Sequence, residues 1–93
     1  MKLARQLPSL NALRAFEAAA RHGSFSLAGD EIHVTHAAIS HQIRALEEWF
    51  GTGLFKRMPG RVELIDTNGR YSTFLTKMFD QLDAQTRDLK TLV

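Results

Sequence analysis

The sequence predicts a mostly α fold: three short helices, one β-hairpin and a long final helix. Three observations lead there. Two helical patterns within Ser24–Gly51 are separated by a stop too short to be a flexible linker. After Gly51 the hydrophobic period shortens to that of strands, around the adjacent Pro59 and Gly60. From about Thr67 the apolar residues return at alternating spacings of four and three, almost to the chain's last residue.

Taken in order, Met1 to Leu7 is a short basic lead with Lys2 and Arg5, expected to fray or to lie on a partner. Pro8-Ser9 opens the first helix, with Leu10, Leu13, Phe16, Glu17 and Ala20 on successive turns. Ala18-Ala19-Ala20 favours helix and permits close packing, and Gly23 is placed to end it in the left-handed conformation. The second helix is expected over roughly Leu27–Ile32, capped by Ser26, with the small residues Ala28 and Gly29 on one face. Another hydroxyl, Thr35, caps a third helix that runs to about Phe50 and carries Ile39, Ile43, Leu46 and Phe50 as one stripe. Small residues at the crossing let these two helices approach closely. The turn His33-Val34-Thr35 is expected to fix their angle by burying Val34. The expected core is Leu13, Phe16, Phe25, Ile32, Val34, Ile39, Ile43 and Leu46.

That pairing is a helix-turn-helix, whose second helix enters a DNA major groove by its N-terminal end. With Ile39 turned inward, Thr35, His36, Ala37, Ser40 and His41 are expected at base edges or adjacent phosphates. A histidine that meets phosphate strengthens binding as pH falls toward about 6. Arg44, Lys56, Arg57 and Arg61, with the hydroxyls of Ser24 and Ser26, are expected to hold the DNA backbone.

Leu54-Phe55-Lys56-Arg57 and Val62-Glu63-Leu64-Ile65 have strand character, and Met58-Pro59-Gly60-Arg61 joins them as a turn. A hairpin directly after the third helix makes the motif a winged helix-turn-helix. Its cationic tip suits phosphates or a minor groove. In the last helix Tyr71, Leu75, Met78, Leu82, Gln85, Leu89 and Leu92 form a heptad seam with Gln85 its one polar member, flanked by Phe74 and Phe79. A helix of about 25 residues is roughly 37 Å long, more than so small a domain can cover. The excess apolar surface implies a partner, most simply the same helix of a second copy about a two-fold axis. The chain therefore divides into a winged helix-turn-helix over 1–65 and a dimerisation helix over 66–93.

These segments resemble the N-terminal DNA-binding region of LysR-type transcriptional regulators. The resemblance is carried by LNALRAFEAAARH at 10–22, GSF at 23–25 and VTHAAISHQI at 34–43, then by Leu46-Glu47-Glu48, Gly51 and Leu54-Phe55-Lys56-Arg57. Within that family the chain is most similar to the group containing the glycine-cleavage activator and the β-lactamase regulators. It departs from the family twice. Ala28-Gly29 stands where paired alanines are usual, and an internal glycine costs about 1 kcal/mol against alanine. The family's Leu-Thr-x-x-Gly reads here as Ile65-Asp66-Thr67-Asn68-Gly69, with an extra residue nearby and Asp66 as the replacement cap. The resemblance implies a bacterial homodimer, joined by the last helix as a linker helix, that reads an interrupted inverted repeat in double-stranded DNA. It also implies a C-terminal domain that answers to a small-molecule effector. This chain stops before such a domain begins and is either a naturally short form or, as expected here, an excised fragment, needing no cofactor.

Composition narrows the alternatives. A hydrophobic content of 44% and a charged content of 24% are those of an ordinary globular domain. With no cysteine, neither a disulfide framework nor a thiolate metal site is available. No leader of signal-peptide type and no apolar stretch of membrane-spanning length is present, so a cytoplasmic protein is expected. Net charge is only +2, but residues 1–62 carry eight Lys/Arg against five Asp/Glu, and residues 63–93 four against five. The positive end coincides with the helix-turn-helix. His33, His36 and His41 do not make a zinc site, because positions 36 and 41 lie about 140° apart around a helix. Ser40 and His41 point about 100° apart, which excludes a nucleophile–base pair. Glu47-Glu48 reads as a solvated face. No enzyme is expected; the competing reading is a helical dimerisation module whose basic face is incidental.

Overall fold

The computed structural model describes residues 6–65 and 69–93. Helix α1 (Leu10–His22) begins where Ser9 Oγ accepts the Ala12 N–H at 3.4 Å. It ends at Gly23, whose φ of 64° is the left-handed conformation that glycine adopts without strain. Leu13 and Phe16 are buried among Ala12, Ala15, Ala18 and Ala19, and this small-residue surface lets the neighbouring helices pack close to the α1 backbone.

Helix α2 (Phe25–Ile32) starts two residues before the expected Leu27. Its cap is Ser24, which accepts the Leu27 N–H at 3.1 Å, and not Ser26. The reason is Phe25: as first helical residue its ring drops into the core, and only the preceding extended residue can then cap. Helix α3 (His36–Phe50) is capped as expected by Thr35, which accepts the Ala38 N–H at 3.0 Å. Ile39, Ile43 and Leu46 are fully buried along it, whereas Phe50 ends at the surface beside Tyr71.

The turn between α2 and α3 works differently from the expectation. Val34 is 43% exposed and Ile32 only half-buried, so neither anchors the crossing. Backbone does so instead: Val34 N–H bonds the Gly29 carbonyl at 2.9 Å, and a Cβ on Gly29 would stand 2.6 Å from the Val34 carbonyl oxygen. Gly29 is thus the residue that permits the close approach. His33 closes α2 in the left-handed region at φ 61°, which few non-glycine residues adopt.

Strands β1 (Phe55–Met58) and β2 (Arg61–Leu64) pair antiparallel, Phe55 with Leu64 and Met58 with Arg61, across a Pro59-Gly60 loop. Phe55 and Val62 bury their side chains against Phe16 and Phe25, and Val62 N–H bonds the Gly23 carbonyl at 3.0 Å. Glu47 is no solvated side chain. Its Oε2 accepts the Leu54 N–H at 2.8 Å and that of Phe55 at 3.4 Å, tying the hairpin's entry to α3.

Helix α4 (Gly69–Leu92) follows; the expected start near Thr67 and the Asp66 cap lie outside the described residues. The heptad seam is divided between two roles. Leu75 is 1% exposed within its own chain, and Tyr71, Met78 and Phe79 pack partly against the same core. That corrects the expectation that Leu75 faces a partner: in a domain of only three helices this end of α4 is needed to close the core. Phe74, Leu82, Leu89 and Leu92 remain exposed, as does Gln85. Glu17, only 7% exposed, joins α1 to both α2 and α4. It accepts Arg21 Nε at 2.8 Å and Thr76 Oγ1 at 2.7 Å, while Arg21 Nη1 also donates to Glu31 Oε1 at 2.8 Å.

Candidate nucleic-acid interface

The first turn of α3 presents Thr35, His36, Ala37 and His41 to solvent, with Ser40 half-buried beside them. Ile39, which lies among them in sequence, is turned fully inward and orients the other side chains outward. Thr35 spends its acceptor on the helix cap, yet its hydroxyl proton is free to donate outward. The His36 ring is held from α2: Nδ1 lies 3.3 Å from Ser26 Oγ, and the ring stands edge-on to Phe25 at 5.8 Å. Ser26 therefore supports α3 in place of the capping role expected of it. Ser24, expected at the DNA backbone, has its hydroxyl oxygen engaged as the α2 cap and only its proton to offer.

Between this turn and the hairpin runs an open groove of about 250 Å³, bounded by Ser24, Ser26 and His36 on one side and Arg57, Gly60 and Arg61 on the other. Lys56 and Arg57 are exposed cations, and Arg44 continues the exposed face along α3. Arg61 is partly neutralised by Glu63, with Nε 3.4 Å from the carboxylate. A cationic groove bounded by helix N-termini on one side suits an extended anion better than a compact one. Among the described residues no group of three His, Cys, Asp or Glu could hold a metal ion. None of the described helices is long and apolar enough to cross a membrane.

The profile of bacterial regulatory helix-turn-helix proteins of the lysR family matches residues 10–66. The chain belongs to the lysR family. It is 44% identical over 88 residues to the glycine cleavage system transcriptional activator of Escherichia coli (strain K12), covering 95% of this chain and 29% of that protein. It is 51% identical over 75 residues to the transcriptional activator AmpR of Providencia stuartii, covering 81% of this chain and 26% of that protein. The chain thus spans less than a third of the curated relatives it matches, and those relatives are transcriptional regulators rather than enzymes. Among solved structures, the BenM DNA-binding domain in complex with catB site 1 DNA superposes with a TM-score of 0.78 at 26% identity. That match covers 91% of this chain and 94% of that one. The winged helix-turn-helix and long last helix expected from the sequence are therefore the lysR-family fold.

Three residues that hold the helices and the hairpin together carry little signal of their own in the sequence. Phe25 reads as core, Glu47 as surface and Glu17 as one more position on an apolar stripe. Only Glu17 could have been suspected, since a carboxylate on the buried face of α1 requires a partner. Arg21, four residues on, supplies it.

Proposed function

We propose that this chain is the DNA-binding and dimerisation part of a longer bacterial transcription regulator that acts in the cytoplasm. Helix α3 enters the major groove by its first turn, with Thr35, His36, Ala37, Ser40 and His41 at base edges or adjacent phosphates. Ser24, Ser26, Arg44, Lys56, Arg57 and Arg61 hold the flanking backbone or minor groove, with Arg61 the weakest because Glu63 competes for it. The winged helix-turn-helix occupies residues 1–65, and residues 66–93 join two copies. Contacts between copies fall on Phe74, Leu82, Gln85, Leu89 and Leu92, with Tyr71, Met78 and Phe79 at the margin, since these are the seam and flanking residues α4 leaves uncovered or half-covered. Two heads so joined read an interrupted inverted repeat. A small-molecule effector acts through the C-terminal domain of the longer protein, and this part uses no cofactor.

The observation that carries the reading is the exposed first turn of α3 facing the hairpin cations across one open groove. Ser40→Ala and His41→Ala test it. Each is expected to lower discrimination between a preferred and a mismatched duplex by about 1–3 kcal/mol while leaving the dimer intact. Unchanged preference with both substitutions would favour an adaptor module whose basic face is incidental.

A further inference from the structure

Arg57 stands on the wrong face of the hairpin for an ordinary surface cation. Strand alternation groups it with Phe55 and, across the ladder, with Val62, on the side turned toward the helices. Phe55 and Val62 are buried there. The guanidinium carbon of Arg57 instead lies 5.0 Å from the centroid of the Phe25 ring, over its face. That is cation–π geometry. Phe25 is itself 4% exposed and is fixed edge-on by Phe55 at 5.7 Å and 88°. The same ring also stands nearly perpendicular to the His36 ring, at 5.8 Å and 84°. One buried ring therefore touches both the hairpin's inward cation and the first residue of α3. No carboxylate among the described residues pairs with Arg57, so its charge stays available to an anion.

We propose that Phe25 is a positioning residue for DNA binding: its ring holds Arg57 and His36 at a fixed separation before DNA arrives. The proposal rests on the DNA reading above. A long flexible arginine must otherwise be ordered at the moment of binding, and preorganisation removes that cost. Held over the ring face, Arg57 is still an exposed side chain, so a phosphate can reach its guanidinium N–H donors. A side chain that only filled the core would not do this, because leucine fills nearly the same space without presenting a ring face.

The test is a double-mutant cycle of Phe25→Leu and Arg57→Ala, read by fluorescence anisotropy on the preferred duplex at a temperature where all four proteins are folded by circular dichroism. Phe25→Leu is expected to weaken binding about two- to fivefold when Arg57 is present. In the Arg57→Ala background the further loss should be clearly smaller, since only the His36 contact of the ring is left to lose. Equal weakening in both backgrounds would overturn the proposal and leave Phe25 a core residue. Should Phe25→Leu fail to fold, the unmodified protein supplies a second readout by NMR. The Arg57 side-chain protons are expected upfield of their random-coil positions from the ring current, and random-coil shifts would overturn the proposal. If the unmodified protein shows no salt-dependent DNA binding while the upfield shifts are present, the DNA reading itself fails and not the ring contact.

Discussion

Arg21→Met removes the cation at the centre of the network that ties α1 to α2 and α4. The arginine fork donates Nε to Glu17 Oε2 at 2.8 Å, Nη2 to Glu17 Oε1 at 3.0 Å and Nη1 to Glu31 Oε1 at 2.8 Å. After the substitution Glu17 remains buried with only the Thr76 hydroxyl as partner. Stranding one member of a fully buried pair costs about 3–5 kcal/mol. The Arg21 side chain is 39% exposed, so water screens part of the interaction and a loss of about 2 kcal/mol is expected. At about 4–8 °C per kcal/mol for a domain of this size, Tm should fall by roughly 8–16 °C at pH 7. The pH dependence gives the prediction its sign. Hydrogen bonds from Arg21, and then from Thr76, hold the Glu17 carboxyl below its usual range against the opposing effect of burial. Arg21, and after it His22, pull Glu31 down to about 2. Carboxylates with depressed folded-state pKa stabilise the fold above their unfolded value of about 4.3, and that contribution is lost as pH falls toward 2. The difference between the two proteins should therefore be full at pH 7, clearly narrowed by about pH 3 and closed only as pH falls below about 2. The assay is thermal unfolding by circular dichroism at both pH values and one fixed protein concentration, because dimerisation makes Tm concentration-dependent. An unchanged Tm at pH 7, or an equal drop at both pH values, would refute the reasoning.

Two further substitutions probe the geometry around the site. Glu47→Ala removes the carboxylate that accepts the Leu54 and Phe55 N–H groups and loosens the hairpin's entry; a loss of about 1–3 kcal/mol is expected, with faster amide exchange in β1 as the specific readout. Gly29→Ala should not recover the roughly 1 kcal/mol that helix propensity offers, because its Cβ would meet the Val34 carbonyl oxygen at 2.6 Å. Denaturant unfolding decides it, and a gain in stability would show that the turn yields more easily than its backbone contact implies.

What could be read from the sequence was whatever local chemistry decides. The Ile39–Ile43–Leu46 stripe, the Thr35 cap, the Gly23 stop and the Pro59-Gly60 turn each follow from spacing or from one residue's backbone preference, and each stands where expected. The strand bounds slipped by one residue, because the pairing that sets them is formed between strands and not within one. Ser24 and Ser26 are equal candidates for a cap until Phe25 is seen to enter the core. Val34 failed for a related reason: a short apolar residue in a tight turn suggests burial, but the space at this crossing is taken up by backbone brought close by Gly29. The heptad seam told that α4 is apolar on one face without telling which turns the domain keeps for itself. Leu75 belongs to the domain, Phe74 and Leu82 to the surface, and only the packing of α4 on α1 separates them. Of the interface, the outward residues of α3 were readable from Ile39 alone. The Phe25–Arg57 contact, which joins residues 32 positions apart, was not.

The central claim, that this chain reads DNA as a dimer, is tested most directly by fluorescence anisotropy across a salt series. One duplex carries an interrupted inverted repeat selected by the domain from a random pool, and the other the same bases scrambled. Binding should be tighter on the repeat by a factor of roughly 10³ or more, with a log–log salt slope of about −4 to −8. Equal binding to both duplexes with no salt slope would contradict it.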